Sequence, residues 1–359
     1  MSDRAAAFHA TPPIGVFLIT GGGAKFIEEL MGTPGASSSV LDLQIPYAYP
    51  ALEQLLGRAP EQACSALTAR QMAVTAFTRA QHLAPDQTHR FGFGLTASLA
   101  TNRTKKGQHR AFWAIQLADR TNEYSALFDA DRETEEGALN EFIWASLNHC
   151  LFDHALSHDI TAHSSGAHPE WSSLLSADPH RICIGTHNGH ALLPGSFNPL
   201  HDGHREMRRV GEAIAGKPVA YEITVRNADK PGLDLLSLQE RLPQFETTPV
   251  WITNTPTFSE KAELFPGATF LLGVDTIRRL GMQKFYQNDA RRMGEALDRL
   301  AALNTQFIVF GRVDGDQFIS LEDLDLPATL RERCTAVSED VFRNDLSSTA
   351  LRAQQSGGR

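Results

Sequence analysis

Apolar positions along the chain fall mostly into short unbroken runs, each closed by a glycine or proline turn and followed by helical spacing. Residues 14–19 (Ile-Gly-Val-Phe-Leu-Ile) are such a run, ended by Thr20-Gly21-Gly22-Gly23, and residues 24–31 continue as a helix. Unbroken runs of this kind predict strands buried on both faces. Residues 40–45 form a second run, and 47–57 turn helical in their second half. Residues 61–80 predict an amphipathic helix, with Cys64, Leu67, Met72, Ala73 and Ala76 at helical spacing. Residues 91–95 and 110–117 predict two more strands, with a basic loop at 102–106 between them. Residues 134–151 predict a helix with Leu139, Phe142, Ile143 and Leu147 on one face. Strands alternating with helices predict an α/β fold.

The pattern lapses over residues 153–180, which are polar, rich in His, Ser and Ala, and broken by Pro169 and Pro179. This composition predicts a linker. His154 and His158 stand four apart and could share a helix face as metal ligands. No third ligand has convincing spacing, so a solvated linker is the favoured reading and no metal site is assigned. Beyond it, residues 182–185, 191–193, 220–225, 250–253 and 307–312 predict strands, 269–276 a strand running into a glycine turn and helix, and 205–215, 238–245 and 259–265 helices. The expected division is a domain at 12–152, a linker at 153–180 and a second domain at 181–356.

A chain of 359 residues has room for two domains, and 42% hydrophobic with 21% charged residues is a globular composition. A net charge of -9 argues against a nucleic-acid partner, since no basic excess exists to neutralise a phosphate backbone. A small phosphorylated substrate needs only a local positive pocket. Cys64, Cys150, Cys183 and Cys334 are widely spaced, which fits a reducing, cytoplasmic setting. No apolar run approaches the ~20 residues needed to cross a bilayer, so no membrane partner is expected.

The chemistry concentrates in Gly195-Ser196-Phe197-Asn198-Pro199-Leu200-His201-Asp202-Gly203-His204. It follows an apolar run and enters a predicted helix. The turn residues let the backbone come close to a ligand. The helix start offers N–H groups and a positive dipole end to an anion, and two imidazoles three apart can donate to phosphate oxygens. Far downstream, Leu346-Ser347-Ser348-Thr349-Ala350-Leu351-Arg352 would make a second oxyanion cradle of hydroxyls and a guanidinium. Together these stretches resemble the HxGH and I-S-S-T-x-x-R signatures of the nucleotidyltransferase superfamily, over about residues 182–352.

The resemblance implies a Rossmann-like parallel-sheet domain and transfer of a nucleotidyl group from a nucleoside triphosphate, ATP above all, to a phosphorylated acceptor. It implies that His201 and His204 hold the triphosphate and stabilise charge on the α-phosphate. Arg352, with Ser347, Ser348 and Thr349, would hold the outer phosphates, and Mg²⁺ would offset the remaining charge. Gly195, Ser196, Phe197, Asn198 and Gly203 would line the nucleotide. The superfamily's G-x-D falls at Gly273 and Asp275. Asn227 and Lys230, after a predicted strand, are acceptor-side candidates. Arg241 reads equally as a phosphate contact or a solvated helix arginine. The motifs look most like those of nicotinamide/nicotinate mononucleotide adenylyltransferases. Pantetheine-phosphate adenylyltransferase-like activity, cytidylyl transfer and a non-catalytic nucleotide sensor are the alternatives.

The first half carries a different resemblance. Thr20-Gly21-Gly22, Pro34-Gly35, Tyr47, Leu55-Leu56-Gly57 and Asp131-Arg132-Glu133 look like the C-terminal domain of the CinA family, which includes nicotinamide-nucleotide amidohydrolases. Its relatives allow homo-oligomeric assembly through this half. The family's serine falls at Leu18, its lysine at Leu52, and its later glycine-rich stretch reads Thr96-Ala97-Ser98-Leu99-Ala100-Thr101. A leucine is neither nucleophile nor base. The expectation is an amidohydrolase-like fold without amidase chemistry. The turn at Thr20–Gly23 could still present amides to an anion or be a plain connection, and Ser37, Ser38 or Ser39 could in principle replace the lost nucleophile.

Overall fold

The first apolar run becomes β1 (Ile14–Thr20), buried on both faces, in a computed structural model that describes residues 3–11, 13–102, 107–156, 159–176, 178–227, 231–315 and 317–343. The chain divides into two compact units, Met1–Leu175 with Asn227–Gln239, and Ser176–Arg226 with Glu240–Arg359. Both are mixed α/β.

In the first unit, α1 (Asp3–His9) precedes β1, and α2 (Ala24–Gly32), β2 (Val40–Gln44), α3 (Tyr49–Leu56) and α4 (Ala66–Leu83) follow it. Then come β3 (Arg90–Ser98), β4 (His109–Gln116), β5 (Thr121–Phe128), α5 (Arg132–Phe152) and β6 (Thr161–Ser164). The sheet order is β2-β1-β3-β4-β5-β6. The β2-β1-β3 pairs are parallel and the rest antiparallel. Alternation along β1 sends Phe17 and Ile19 into one core with Phe26, Phe93, Ile143 and Trp144, and Val16 and Leu18 into another with Met72 and Ala76. On β3, a Cβ at Gly92 or Gly94 would overlap the α4 backbone at Ala73 and Phe77 or at Ala69 and Ala73. These glycines let α4 lie directly on the strand.

In the second unit, β7 (Arg181–Ile184), β8 (Ala191–Pro194), α6 (Asp202–Ala215) and β9 (Ala220–Thr224) are followed by β10 (Val250–Thr253) and α8 (Phe258–Leu264); between β9 and β10 the chain passes through α7 (Leu235–Arg241), whose residues up to Gln239 belong to the first unit. The chain continues through β11 (Thr269–Gly273), α9 (Val274–Leu280), α10 (Ala290–Ala302), β12 (Gln306–Phe310), β13 (Arg312–Asp314), β14 (Gln317–Ile319), α11 (Ala328–Arg331) and β15 (Cys334–Val337). The main sheet runs β15-β12-β11-β8-β9-β10-β7, parallel except for the antiparallel edge strand β7. From β8, successive strands build outward to β10 on one side; the chain then returns to β11 beside β8 and builds outward to β15. That reversal is a switch point in the strand order, and open parallel sheets bind ligands beyond the strand C-termini at such points.

Several boundaries differ from the sequence reading. The stretch at 153–180 is not a linker over its described length. Residues 161–164 add β6 to the sheet beside β5, and a 3-10 helix, Pro169–Leu175, buries Trp171, Leu174 and Leu175. Its polarity misled because all four β6 residues are exposed. The first unit thus runs past 152 to Leu175 and also takes Asn227–Gln239. Helix α4 starts five residues later than expected, because the Ser65 hydroxyl caps the Thr68 amide. Among the described residues no helix is long and apolar enough to cross a membrane, and all four cysteines are free thiols.

Candidate functional site

The switch in the second sheet lies between β8 and β11, so the loops leaving those two strands decide what the site can do. The first runs from Gly195 to His204. Gly195 donates its amide to the Glu222 carbonyl at 2.9 Å, which extends the sheet by one bond into the loop. A Cβ on Gly195 would meet the Phe197 ring at 2.7 Å, so this position must be glycine for the ring to fold back. Phe197 takes a left-handed backbone with φ 43. That conformation costs about 1–3 kcal/mol in a non-glycine residue. Edge contacts of its ring with Tyr221, Phe245 and His204, at 5.0, 5.4 and 5.0 Å between centroids, offset the cost.

The loop is held by Arg241 and by Gln244 of the turn that follows it, both in the second unit. Arg241 donates to the Ser196 carbonyl at 2.9 Å. Gln244 accepts the Leu200 amide at 2.7 Å and donates to the Phe197 carbonyl at 3.2 Å. Arg241 is thus tied to the backbone of the loop. Ser196 and Asn198 are exposed, and Gly203 is buried.

His201 caps α6 and His204 sits on its first turn. The His201 amide donates to His204 Nδ1 at 3.4 Å, and the rings stack with centroids 3.7 Å apart. Burial, then the neighbouring His201, pushes His204 down to about 4. Burial also lowers His201, against an opposing pull from Asp202. Near neutral pH His204 is thus an uncharged imidazole, and with Nδ1 accepting, its proton resides on Nε2 as a donor. Helix α6 is fixed over the sheet at Gly211, where a Cβ would overlap the Leu271 side chain of β11.

The second loop of the switch follows β11. Gly273 caps α9 with open space where a Cβ would stand, and Asp275 lies on the first helical turn. Asp275 pairs with Arg312, just past β12, at 2.6 Å. The structure so brings Gly195, Ser196, Phe197, Asn198, His201, Gly203 and His204 to one strand end, and Gly273 and Asp275 to the end of the adjoining strand. Asn227 groups with the first unit and donates to the Pro231 carbonyl at 3.2 Å. Lys230, Ser347, Ser348, Thr349 and Arg352 lie outside the described residues.

One polar cluster here escaped the sequence reading. Glu222 of β9 pairs with Lys261 of α8 at 2.5 Å and accepts the Thr253 hydroxyl at 2.5 Å, with side chains 1% and 4% exposed for the acid and the lysine. The available signal was a lone Glu in the apolar strand Ala-Tyr-Glu-Ile-Thr, since a buried charge demands a partner.

The first unit disposes of its anion-binding turn internally. The Gly23 and Ala24 amides both donate to Glu136 Oε2 at 2.9 Å, and Arg132 donates to Glu136 Oε1 at 2.8 Å. A carboxylate of α5 thus sits at the start of α2 and takes up the amides that could have met an external anion. The adjacent Glu135, fully buried, accepts the Ala100 and Ala130 amides at 2.6 and 3.2 Å and His109 Nδ1 at 2.6 Å. Burial pushes its carboxyl up, but these donors outweigh it and the group titrates below its ordinary value. Leu18 and Leu52, at the serine and lysine positions, lie in one apolar cluster. Ser39 donates to His9 at 2.6 Å, and His9 Nε2 donates to the Leu30 carbonyl at 2.9 Å. At 0% and 5% exposure this serine–histidine pair is sealed from any substrate and serves packing. Among the described residues no group of three or more ligating side chains could hold a metal.

No family model matches the chain, and neither does any curated protein. Solved structures with partial likeness are CinA-superfamily proteins. One from Klebsiella pneumoniae 700603 is 15% identical over 42% of this chain and 95% of that one, with a TM-score of 0.35. The competence or damage-inducible protein from Enterobacter asburiae is 16% identical over 41% of this chain and 94% of its own, with a TM-score of 0.35. CihA from Agrobacterium tumefaciens is 20% identical over 40% of this chain and 92% of its own, with a TM-score of 0.34.

Proposed function

We propose that the second unit is a nucleotidyltransferase with a Rossmann-like sheet. It transfers an adenylyl group from ATP to a phosphorylated acceptor, nicotinamide or nicotinate mononucleotide, and releases pyrophosphate. The observation that carries this reading is the coincidence of motif and topology. The strand order reverses between β8 and β11, and the loops leaving these two strands are Gly195–His204 and Gly273–Asp275.

In the proposed reaction a phosphate oxygen of the acceptor attacks the α-phosphorus of ATP, and the bond to the β-phosphate oxygen breaks. Such transfers need positioning and charge stabilisation rather than covalent help. Neutral His204, donating from Nε2, and His201 beside it would stabilise charge on the α-phosphate at the start of α6. By the resemblance, Ser347, Ser348, Thr349 and Arg352 hold the outer phosphates, and Asn227 and Lys230 serve the acceptor. Mg²⁺ accompanying a triphosphate asks for only one or two protein carboxylates. The ion would neutralise phosphate charge, and by the resemblance Gly273 and Asp275 lie by the nucleotide.

The test is pyrophosphate release by the purified chain from ATP or CTP with nicotinamide mononucleotide, nicotinate mononucleotide, phosphopantetheine or a phosphorylated alcohol. Release with a mononucleotide and ATP supports the proposal. ATP binding with no release for any acceptor replaces it with a nucleotide sensor.

A further inference from the structure

Helix α4 meets its sheet through alanines, yet Arg70 in its second turn is only 9% exposed. The guanidinium lies between two acids. Its Nη1 pairs with Glu123 of β5 at 2.5 Å, and its Nε lies 3.4 Å from Asp234. Asp234 comes from Asn227–Gln239, the piece of the first unit supplied from far along the chain. It is 2% exposed and accepts both the amide and the hydroxyl of Ser237, at 2.7 and 2.6 Å. The Leu235 amide donates to Thr121 on β5 at 2.9 Å, and Thr121 in turn donates to Gln116 on β4 at 2.6 Å. Leu235 and Leu238 are fully buried and Leu236 nearly so.

An arginine desolvated between two carboxylates is an expensive way to fill a core, because apolar residues of like volume would do so without the desolvation cost. What the ionic arrangement adds is a single permitted placement of the segment. We propose that the first unit, with leucines at both former catalytic positions, serves to hold Asn227–Gln239, and that Arg70 and Asp234 are the pin.

The test uses the full chain and Asp234→Asn, which keeps size and an acceptor for Ser237 but removes the charge facing Arg70. Hydrogen exchange at the Leu235, Ser237 and Leu238 amides is expected to speed up about tenfold or more, with β1 and β3 amides unchanged. Unchanged protection at all of them, or a uniform loss including β1 and β3, overturns the pin. Arg70→Lys keeps the charge and loses the planar guanidinium that donates to Glu123 while facing Asp234. It is expected to give the same local acceleration and carries the test should D234N not fold.

Discussion

His201 and His204 are joined twice, by a backbone amide donated to the second ring and by face-to-face stacking of the two imidazoles. One ring caps α6 and the other lies on its first turn, so each supports the other. Removing one ring removes both a donor and the support of the other. Under the proposed reaction, His204→Ala lowers kcat for pyrophosphate release by about two or more orders of magnitude, the scale for losing an electrostatic stabiliser. A steady-state assay at saturating ATP reads this. A rate within a factor of about two of wild type removes His204 from the mechanism.

The same pair makes stability depend on pH in a definite direction. His204 titrates at about 4 when folded, against 6.5 unperturbed, so the unfolded chain binds its proton first. Its contribution is fully present above 6.5 and is lost as pH falls from 6.5 through 4. That loss is at most about 3 kcal/mol. Urea denaturation of wild type and His204→Gln between neutral pH and pH 4 should show wild type losing stability more steeply on acidification. Parallel curves would contradict the buried neutral imidazole.

Glu136 is the anion that the start of α2 holds. Glu136→Ala strands the Gly23 and Ala24 amides and one prong of Arg132, at a cost of about 2–4 kcal/mol. Glu136→Gln keeps one carbonyl acceptor and should cost about half as much. Chemical denaturation measures both, and an alanine variant as stable as wild type would show the carboxylate to be dispensable.

Glu222 and Lys261 should behave as a buried ion pair. Lys261→Met leaves the acid unpaired and is expected to cost about 3–5 kcal/mol, whereas the double change Glu222→Met with Lys261→Met recovers most of it. Thermal unfolding of the two single variants and the double variant closes the cycle. Additive losses would mean the two side chains act independently.

Much of the scaffold was legible where apolar runs met strong turn signals. Residues 14–19 and 191–193 became strands, and 307–312 did so as far as Phe310, because runs buried on both faces leave no competing pattern. The helix after Gly203 was legible too, although its start at Asp202 was fixed by the His201 cap rather than by periodicity. Residues 121–128 were missed as a strand: Thr, Asn, Glu and Tyr at its start are buried by partners distant in sequence, not by apolar alternation. Arg70 hid inside a helix that reads as ordinary, since its two acids come from β5 and from residue 234. The strand reversal between β8 and β11 could not be read locally, because strand order is a property of the whole sheet.

The Asn227–Gln239 insertion has a consequence for how this polypeptide is made. The first unit lacks Asp234, Leu235, Leu236 and Leu238 until some 240 residues have emerged, by which time β7, β8 and β9 of the other unit already exist. A fragment ending near residue 175 would carry an empty slot along α4 and β5, with Thr121 missing its amide donor. The boundary suggested by composition is therefore a poor place to cut, and the halves of this gene product are interleaved in synthesis rather than produced one after the other.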